Sequence, residues 1–345
     1  MPLHTALTAR LGIDAPVIAA PLGRGSTPRF VTAVADAGAF AFVALMHMPE
    51  ADIATTLADY TRVVEPTRFG VNLTLIRDQR RRLAAALDAG IRTVSLWYGD
   101  PEPYVEQAKA AGATVFWTVG RLADAARAAD LGVDVLVCQG RDAGGHLVGT
   151  AGTIALLPAV VDAAGGIPVV AAGGIADGRG LASALVMGAD GVWMGTRFVA
   201  SEESANHPGY KQRVVDAGFD DLLETRLFDG GWPDSPHRVI RNSTVSRWEE
   251  AGCPRSGERP GEGEVIGAHP NGRSFLRYTD ASPWEGFEGD WEAGAHYAGA
   301  SAPLIHGIEP VARIVASVVE GAELALRRAT AATRPVISTP ESETR

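Results

Sequence analysis

Eight short apolar runs, each followed by a helix-like segment, constrain this chain more than any other feature. They lie at 16–20 (PVIAA), 40–45 (FAFVAL), 68–73 (RFGVNL), 93–97 (TVSLW), 114–118 (TVFWT), 133–138 (VDVLVC), 168–172 (PVVAA) and 191–194 (GVWM). The runs are largely continuous rather than alternating, the pattern of strands covered on both faces in a parallel sheet. The segments between them carry helix signals. Ser26-Thr27-Pro28 places a cap before a proline in the first turn, Asp177 opens ADGRGLASALVMGA, and Thr153 opens TIALLPAVVDAAG, which Gly165 closes. Gly38, Gly90, Gly112, Gly132 and Gly188 follow such segments, where a left-handed cap needs glycine. Eight β/α units closing on themselves predict an α/β chain of the (β/α)8, or TIM-barrel, kind. The rival, an open doubly wound sheet, usually opens with GxGxxG, whereas the first turn here reads GRGSTP.

The rhythm covers residues 1–200 and then breaks. Residues 201–296 are rich in Gly, Pro, Trp and charge (GGWPDSPHR, CPRSGERPGEGE, ASPWEGFEGDWEAG) and read as an insertion lobe after strand 8, lying over the catalytic face. Residues 297–330 return to a helical pattern; the amphipathic stretch 309–328 is expected to close the barrel. Residues 331–345 form a polar tail expected to be disordered.

Composition narrows the function. A net charge of −10 disfavours nucleic acid and anionic membranes as partners. Two cysteines, Cys138 and Cys253, exclude a disulfide framework and a cysteine metal cluster. The segment MPLHTALTARLGID has no basic stretch leading into an apolar run, so we expect no signal peptide, no membrane span and a cytoplasmic protein. The two lysines, Lys109 in a helical pattern and Lys211 in a polar segment, lie away from strand ends and support no Schiff-base chemistry.

In such barrels the active site sits at the C-terminal ends of the strands, and phosphate commonly binds after strands 7 and 8. Gly173-Gly174 and Gly195-Thr196 fall at those two places, where glycine lets backbone N–H groups approach an anion. His146, in the loop GRDAGGH after strand 6, supplies a group that titrates near neutral pH and can hold an anion or move a proton. The reading places it on a glycine-flanked loop with no helix or strand holding it in a core. Asn72, Thr118, Gln139 and Pro21-Leu22 end other strands and point toward the same face. His47 follows strand 2 and is a lesser candidate; the remaining histidines show no metal-ligand spacing, and no metal is expected.

Together, APVIAAPL, FGVNL, VCQGRDAGGHLVG, PVVAAGGIADGRG, GADGVWMGTRFVASEES and the late YAGASAPLIHG resemble the nitronate monooxygenases. The resemblance covers about residues 12–225 and 296–325. It implies non-covalent FMN, with Gly173, Gly174, Gly195 and Thr196 at its phosphate. Asn72, Gln139 and the Pro21-Leu22 backbone would border the isoalloxazine, with Gly145 nearby and His146 facing the substrate. The sequence departs from the family in Arg24 within GRGSTP and in Ala300 within YAGASA.

The implied activity is FMN-dependent oxidation of an alkyl nitronate, or a nitroalkane, by O2 to a carbonyl compound and nitrite, with room for a homo-oligomer. A flavin-dependent enoyl-thioester reductase using NAD(P)H shares the same motifs, including a GGH loop. A flavin-free phosphate-binding lyase or isomerase and a non-catalytic flavin-binding protein also remain open.

Overall fold

The computed structural model describes residues 3–46, 48–269 and 272–332. His47 and tail residues 333–345 lie outside them. Eight parallel strands form a closed barrel: β1 (Val17–Ala19), β2 (Phe40–Ala44), β3 (Phe69–Thr74), β4 (Thr93–Trp97), β5 (Thr114–Val119), β6 (Val135–Gln139), β7 (Val169–Ala172) and β8 (Gly191–Met194). β8 closes on β1 in register Val17 with Val192 through Ala19 with Met194. All eight apolar runs of the sequence are these strands, and the (β/α)8 fold holds.

Period-2 alternation decides which residues fill the barrel. Ile18, Phe40, Phe42, Phe116, Val135, Val137, Val170 and Ala172 form one buried cluster inside it, with Leu7 of the helix Ala6–Leu11 at its base. Their neighbours Val17, Ala41, Val43, Leu136, Cys138 and Ala171 face the helical layer. Gly70 lacks a side chain because a Cβ there would meet Phe42 Cε1 at 2.5 Å. Asn72 stands two residues beyond Gly70 and Gln139 two beyond Val137. The same alternation therefore carries both to the interior face at the barrel mouth.

The helix signals act locally as expected. Thr27 caps the helix Pro28–Asp36 by accepting from Phe30 N, and Asp177 caps the helix Gly178–Val186 by accepting from Arg179 N and Gly180 N. Gly38, Gly90, Gly112, Gly132 and Gly188 all have positive φ. Thr153 opens the helix Thr153–Ala163 as expected, with Gly152 at the cap position, and the Thr153 hydroxyl donates to Gly173 O.

The final helix, Val311–Ala332, runs past the expected end and includes residues 331 and 332. It crosses the helix Gly178–Val186 backbone to backbone: a Cβ on Gly178 would lie 2.3 Å from Ala322 N. Between β8 and this helix come the helix Pro208–Asp216, the antiparallel pair β9 (Leu222–Thr225) and β10 (His237–Ile240), and the helix Ser243–Glu250. The paired strands β11 (Val265–Ala268) and β12 (Ser274–Leu276) follow. Two apolar clusters lie in this stretch, one around Phe228, Val239 and Tyr278 and one around Phe275, Trp284 and Phe287. Lys211 is buried on Pro208–Asp216, its ammonium donating to Ser201 O, so it is a structural strut rather than part of a polar segment.

Candidate active site

The loop after β6 is not the free glycine loop expected. Gly145 and His146 form a short strand that pairs antiparallel with β10, His146 opposite His237 and Gly145 opposite Arg238. His146 is 7% exposed. Its ring stacks on Trp232 at 4.1 Å and 17°, with Trp97 at 6.3 Å, Tyr297 at 5.4 Å and His237 at 5.2 Å between centroids. Trp97, upstream on β4, and three residues some 90 to 150 positions downstream thus hold it in an aromatic box. The loop was expected to lack such support because its glycines permit a turn; local composition does not show that a distant strand pairs with it.

Gln139 fixes this loop from the barrel side. Its Nε2 donates to His146 O at 3.3 Å and its Oε1 accepts from Val148 N at 2.8 Å. Tyr98 braces it from the β4 side, its hydroxyl donating to Leu147 O at 3.2 Å and bonded to Ser235 Oγ at 3.0 Å. Tyr98 pays for that position with a left-handed backbone, φ 58°, uncommon for a bulky residue. His237 is fully buried; its Nδ1 lies 3.0 Å from Ser235 O, and its Nε2 accepts from Phe228 N at 3.3 Å. Burial pushes its imidazole down to about 4, so it is neutral at physiological pH.

The glycine turns adjoin the same loop. Gly173 has φ 107° and Gly174 φ 74°. A Cβ on Gly173 would meet Ala143 N at 2.9 Å, and one on Gly174 would meet Asp142 Cβ at 3.2 Å. Asp142 ties the turn together: its Oδ2 accepts from Thr153 N at 2.6 Å and its carbonyl accepts from Ala300 N at 2.9 Å. Gly144 lies against Gly299, where a Cβ would come within 2.4 Å of Gly299 N, and that N–H donates to Thr196 Oγ1 at 3.0 Å. One continuous set of contacts therefore runs from the His146 loop through the YAGASA segment to Gly195-Thr196.

Gly195 differs from the other glycines of this rim. Its φ is −102°, open to any residue, and an added Cβ would meet only Ala20 Cβ at 3.6 Å. Nothing in the protein itself requires glycine there. Leu22 donates its N–H to Ser26 Oγ at 2.9 Å, above β1. Asn72, 3% exposed, reaches Ser95 Oγ at 3.3 Å.

The rim thus holds Asn72, Gln139, Gly145, His146, Gly173, Gly174, Gly195 and Thr196 at the strand ends, with Pro21-Leu22 above β1. Sequence reading missed Trp97, Tyr98, Asp142, Trp232, His237 and Tyr297. Two signals were available: an aromatic pair ends strand 4, and a tryptophan sits inside GGWPDSPHR. Among the described residues no group of three or more His, Cys, Asp or Glu is placed to hold a metal ion. No helix among them is long and apolar enough to cross a membrane.

A nitronate monooxygenase family model matches residues 42–321. The chain is 37% identical over 252 residues to the (3aS,4S,5R,7aS)-5-hydroxy-7a-methyl-1-oxo-octahydro-1H-indene-4-carboxyl-CoA dehydrogenase of Mycobacterium tuberculosis, covering 72% of this chain and 69% of that protein. It is 28% identical over 296 residues to a probable nitronate monooxygenase of Staphylococcus saprophyticus, covering 72% and 82%. The solved structure of FabK from Thermotoga maritima superposes with a TM-score of 0.81 at 28% identity, over 95% of this chain and 99% of that one. The match spans most of the barrel, the His146 loop and both glycine turns, and the chain belongs to the nitronate monooxygenase family of flavin-dependent oxidoreductases.

Proposed function

We propose that the protein binds FMN and oxidises an alkyl nitronate with O2, giving a carbonyl compound and nitrite. The observation that carries the reading is the placement of His146. It lies at the C-terminal mouth of the barrel in an aromatic box, on a loop that touches both glycine turns. Gly195 supports the cofactor. Its ordinary φ and the open space over its Cα form a cradle that a side chain would fill. Gly173, Gly174, Gly195 and Thr196 would hold the phosphate. Asn72, Gln139, Gly145 and the Pro21-Leu22 backbone would border the ring.

When bound, the flavin supplies the electron acceptor and the meeting point with O2. The chain's own residues do the rest. Trp97, Trp232 and Tyr297 exclude water from the space beside His146. Its imidazole holds the negative charge on the nitronate oxygens, or takes the α-proton of a neutral nitroalkane. Gln139 and Tyr98 keep that imidazole in register by anchoring its backbone. We assign residues 201–296 to a lid lobe, because Trp232 and His237 come from it.

A second reading follows from the 37% identity to a carboxyl-CoA dehydrogenase. An acyl thioester deprotonated at its α-carbon is, like a nitronate, a carbanion whose charge rests on oxygen, and His146 serves either. Oxygen uptake and nitrite release with propionate 3-nitronate would support the first reading. NAD(P)H oxidation with an enoyl thioester, without nitronate turnover, would replace it with the second. A colourless protein that takes up no flavin would defeat both.

A further inference from the structure

The rings around His146 are not held alike. Trp97 ends β4, paired in register with Thr74 of β3. His237 lies in β10, opposite His146 itself. Tyr297 bridges to Val239 of β10 and donates its hydroxyl to Asp280 O at 3.0 Å. Trp232 belongs to no strand or helix. It sits in a surface loop where Gly230, Gly231, Pro233 and Asp234 are exposed, and it alone of these five turns inward, at 6% exposed.

The loop is built around that inward turn. Gly231 has φ 125°, where a Cβ would meet Asp280 Oδ1 at 2.8 Å, and Asp234 has φ 57°. Two backbone positions of the kind that favours glycine thus flank Trp232. The ends of the loop are fixed: Gly230 N donates to Tyr278 O at 2.8 Å, and Pro236 O accepts from Leu147 N at 2.8 Å. Between them the Trp232 N–H donates to Asp229 O at 3.0 Å, a bond within the loop itself. Ring contacts seat the indole: His146 at 4.1 Å, Tyr98 at 4.6 Å and Trp97 at 5.4 Å, the last two edge-on.

This placement has a steric consequence. Carbon atoms in contact lie about 3.5–4.0 Å apart, so a stack at 4.1 Å and 17° admits no further layer between the two rings. One face of the imidazole is closed, and a substrate that reaches His146 does so without that face. The side chain that closes it lies beneath exposed loop backbone, so its removal would open an indole-sized space outward from His146. We propose that Trp232 is the specificity-determining residue of this site: it closes one face of His146 against ring-bearing substrates, so that the site takes short, unbranched chains. The inference rests on the reading that His146 faces the substrate, and it applies to a nitronate or to an acyl thioester alike.

The test compares kcat/KM for a short and a ring-bearing member of one substrate class in wild type, Trp232→Ala and Trp232→Phe, with flavin content and melting temperature recorded for each. The pairs are propionate 3-nitronate with phenylmethanenitronate and, in the presence of NADPH, crotonyl-pantetheine with cinnamoyl-pantetheine. In the class that is turned over, wild type should favour the short member by about a hundredfold, and Trp232→Ala should cut that preference about tenfold or more by raising kcat/KM for the ring-bearing member. Trp232→Phe, which keeps a flat ring against His146, should stay near wild type. Trp232→Leu takes the place of the alanine variant if that variant loses flavin or stability. A size effect seen with the thioesters alone keeps the inference and removes the nitronate reading. Nitronate turnover with a preference that the alanine or leucine variant leaves unmoved keeps that reading and overturns the inference. Equal kcat/KM for both members in wild type, or turnover of neither class, also overturns it.

Discussion

The two sides of the barrel mouth are made differently. The glycine side belongs to the βα-loops of β7 and β8, and its turn contacts, Gly173 to Thr153 and Gly174 to Asp142, lie within about 30 residues in sequence, with the Gly299 N–H on Thr196 Oγ1 as a distant tie. The aromatic side is assembled across the chain: Trp97 and Tyr98 end β4, His146 follows β6, and Trp232, His237 and Tyr297 come from beyond β8. If the first side holds the flavin phosphate and the second faces the substrate, as proposed, changes confined to the second would let one family hold relatives named for nitronates and for a carboxyl-CoA compound.

The largest effect should come from the wall. His146→Asn should lower the rate with nitronate or nitroalkane by roughly 10²–10⁴, the range for a positioned acid–base group. The loss should be greater for a neutral nitroalkane, which must be deprotonated, than for a preformed nitronate. Because the ring stacks on Trp232, the variant also gives up roughly 0.5–1.5 kcal/mol of stability, while flavin content should hold. Steady-state rates on both substrates, with flavin occupancy measured alongside, check this. Full turnover on both would remove His146 from the chemistry.

Acid should break the wall before the glycine side. Burial holds His237 down to about 4 and His296 down to about 3, so both are neutral in the fold. Below the unfolded-state value near 6.5 the unfolded chain takes up protons that the fold refuses. Their stabilisation is complete above that pH and is lost on acidification toward 4, on the order of 3 kcal/mol for His237. Asp280 runs the other way, because burial lifts its carboxyl to about 6. The fold keeps that proton while the unfolded chain releases it, so its contribution falls as pH rises from about 4 to 6. Thermal melts at pH 7 and 4.5, with tryptophan emission read against flavin release, should show the tryptophans exposed first. Simultaneous loss of both signals would erase the distinction between the two sides.

Smaller effects are expected on the glycine side. Gly174→Asp puts a carboxylate against Asp142 at a residue with φ 74°, and FMN affinity should fall by about tenfold or more. Gly195→Ala is the milder and cleaner probe. Its φ of −102° and the 3.6 Å distance to Ala20 let alanine fit the flavin-free protein, so stability should stay within about 0.5 kcal/mol while FMN affinity falls several-fold. Fluorescence titration of the stripped protein measures both. Unchanged affinity in Gly195→Ala would mean that the phosphate sits elsewhere.

The same contrast explains what the sequence made legible. The barrel was readable because each strand is a local apolar run bounded by glycine, and its closure follows from counting to eight. The glycine turns were readable because strand order places them. The support of His146 was not, because Gly144-Gly145 looks the same whether or not a strand pairs beside it, and the partner, His237, lies 91 residues on. Trp232 and Trp284 were visible only as composition, since their roles depend on which ring each one meets.

The assignment of FMN to the glycine side and of a nitronate to the aromatic side is best tested by anaerobic titration of the purified yellow protein with propionate 3-nitronate, followed by denaturation and mass spectrometry of the released flavin. The nitronate should bleach the flavin absorbance, and the flavin released should be FMN. Release of FAD, or a flavin that ignores the nitronate and is bleached only by NADPH or an acyl thioester, would contradict that assignment.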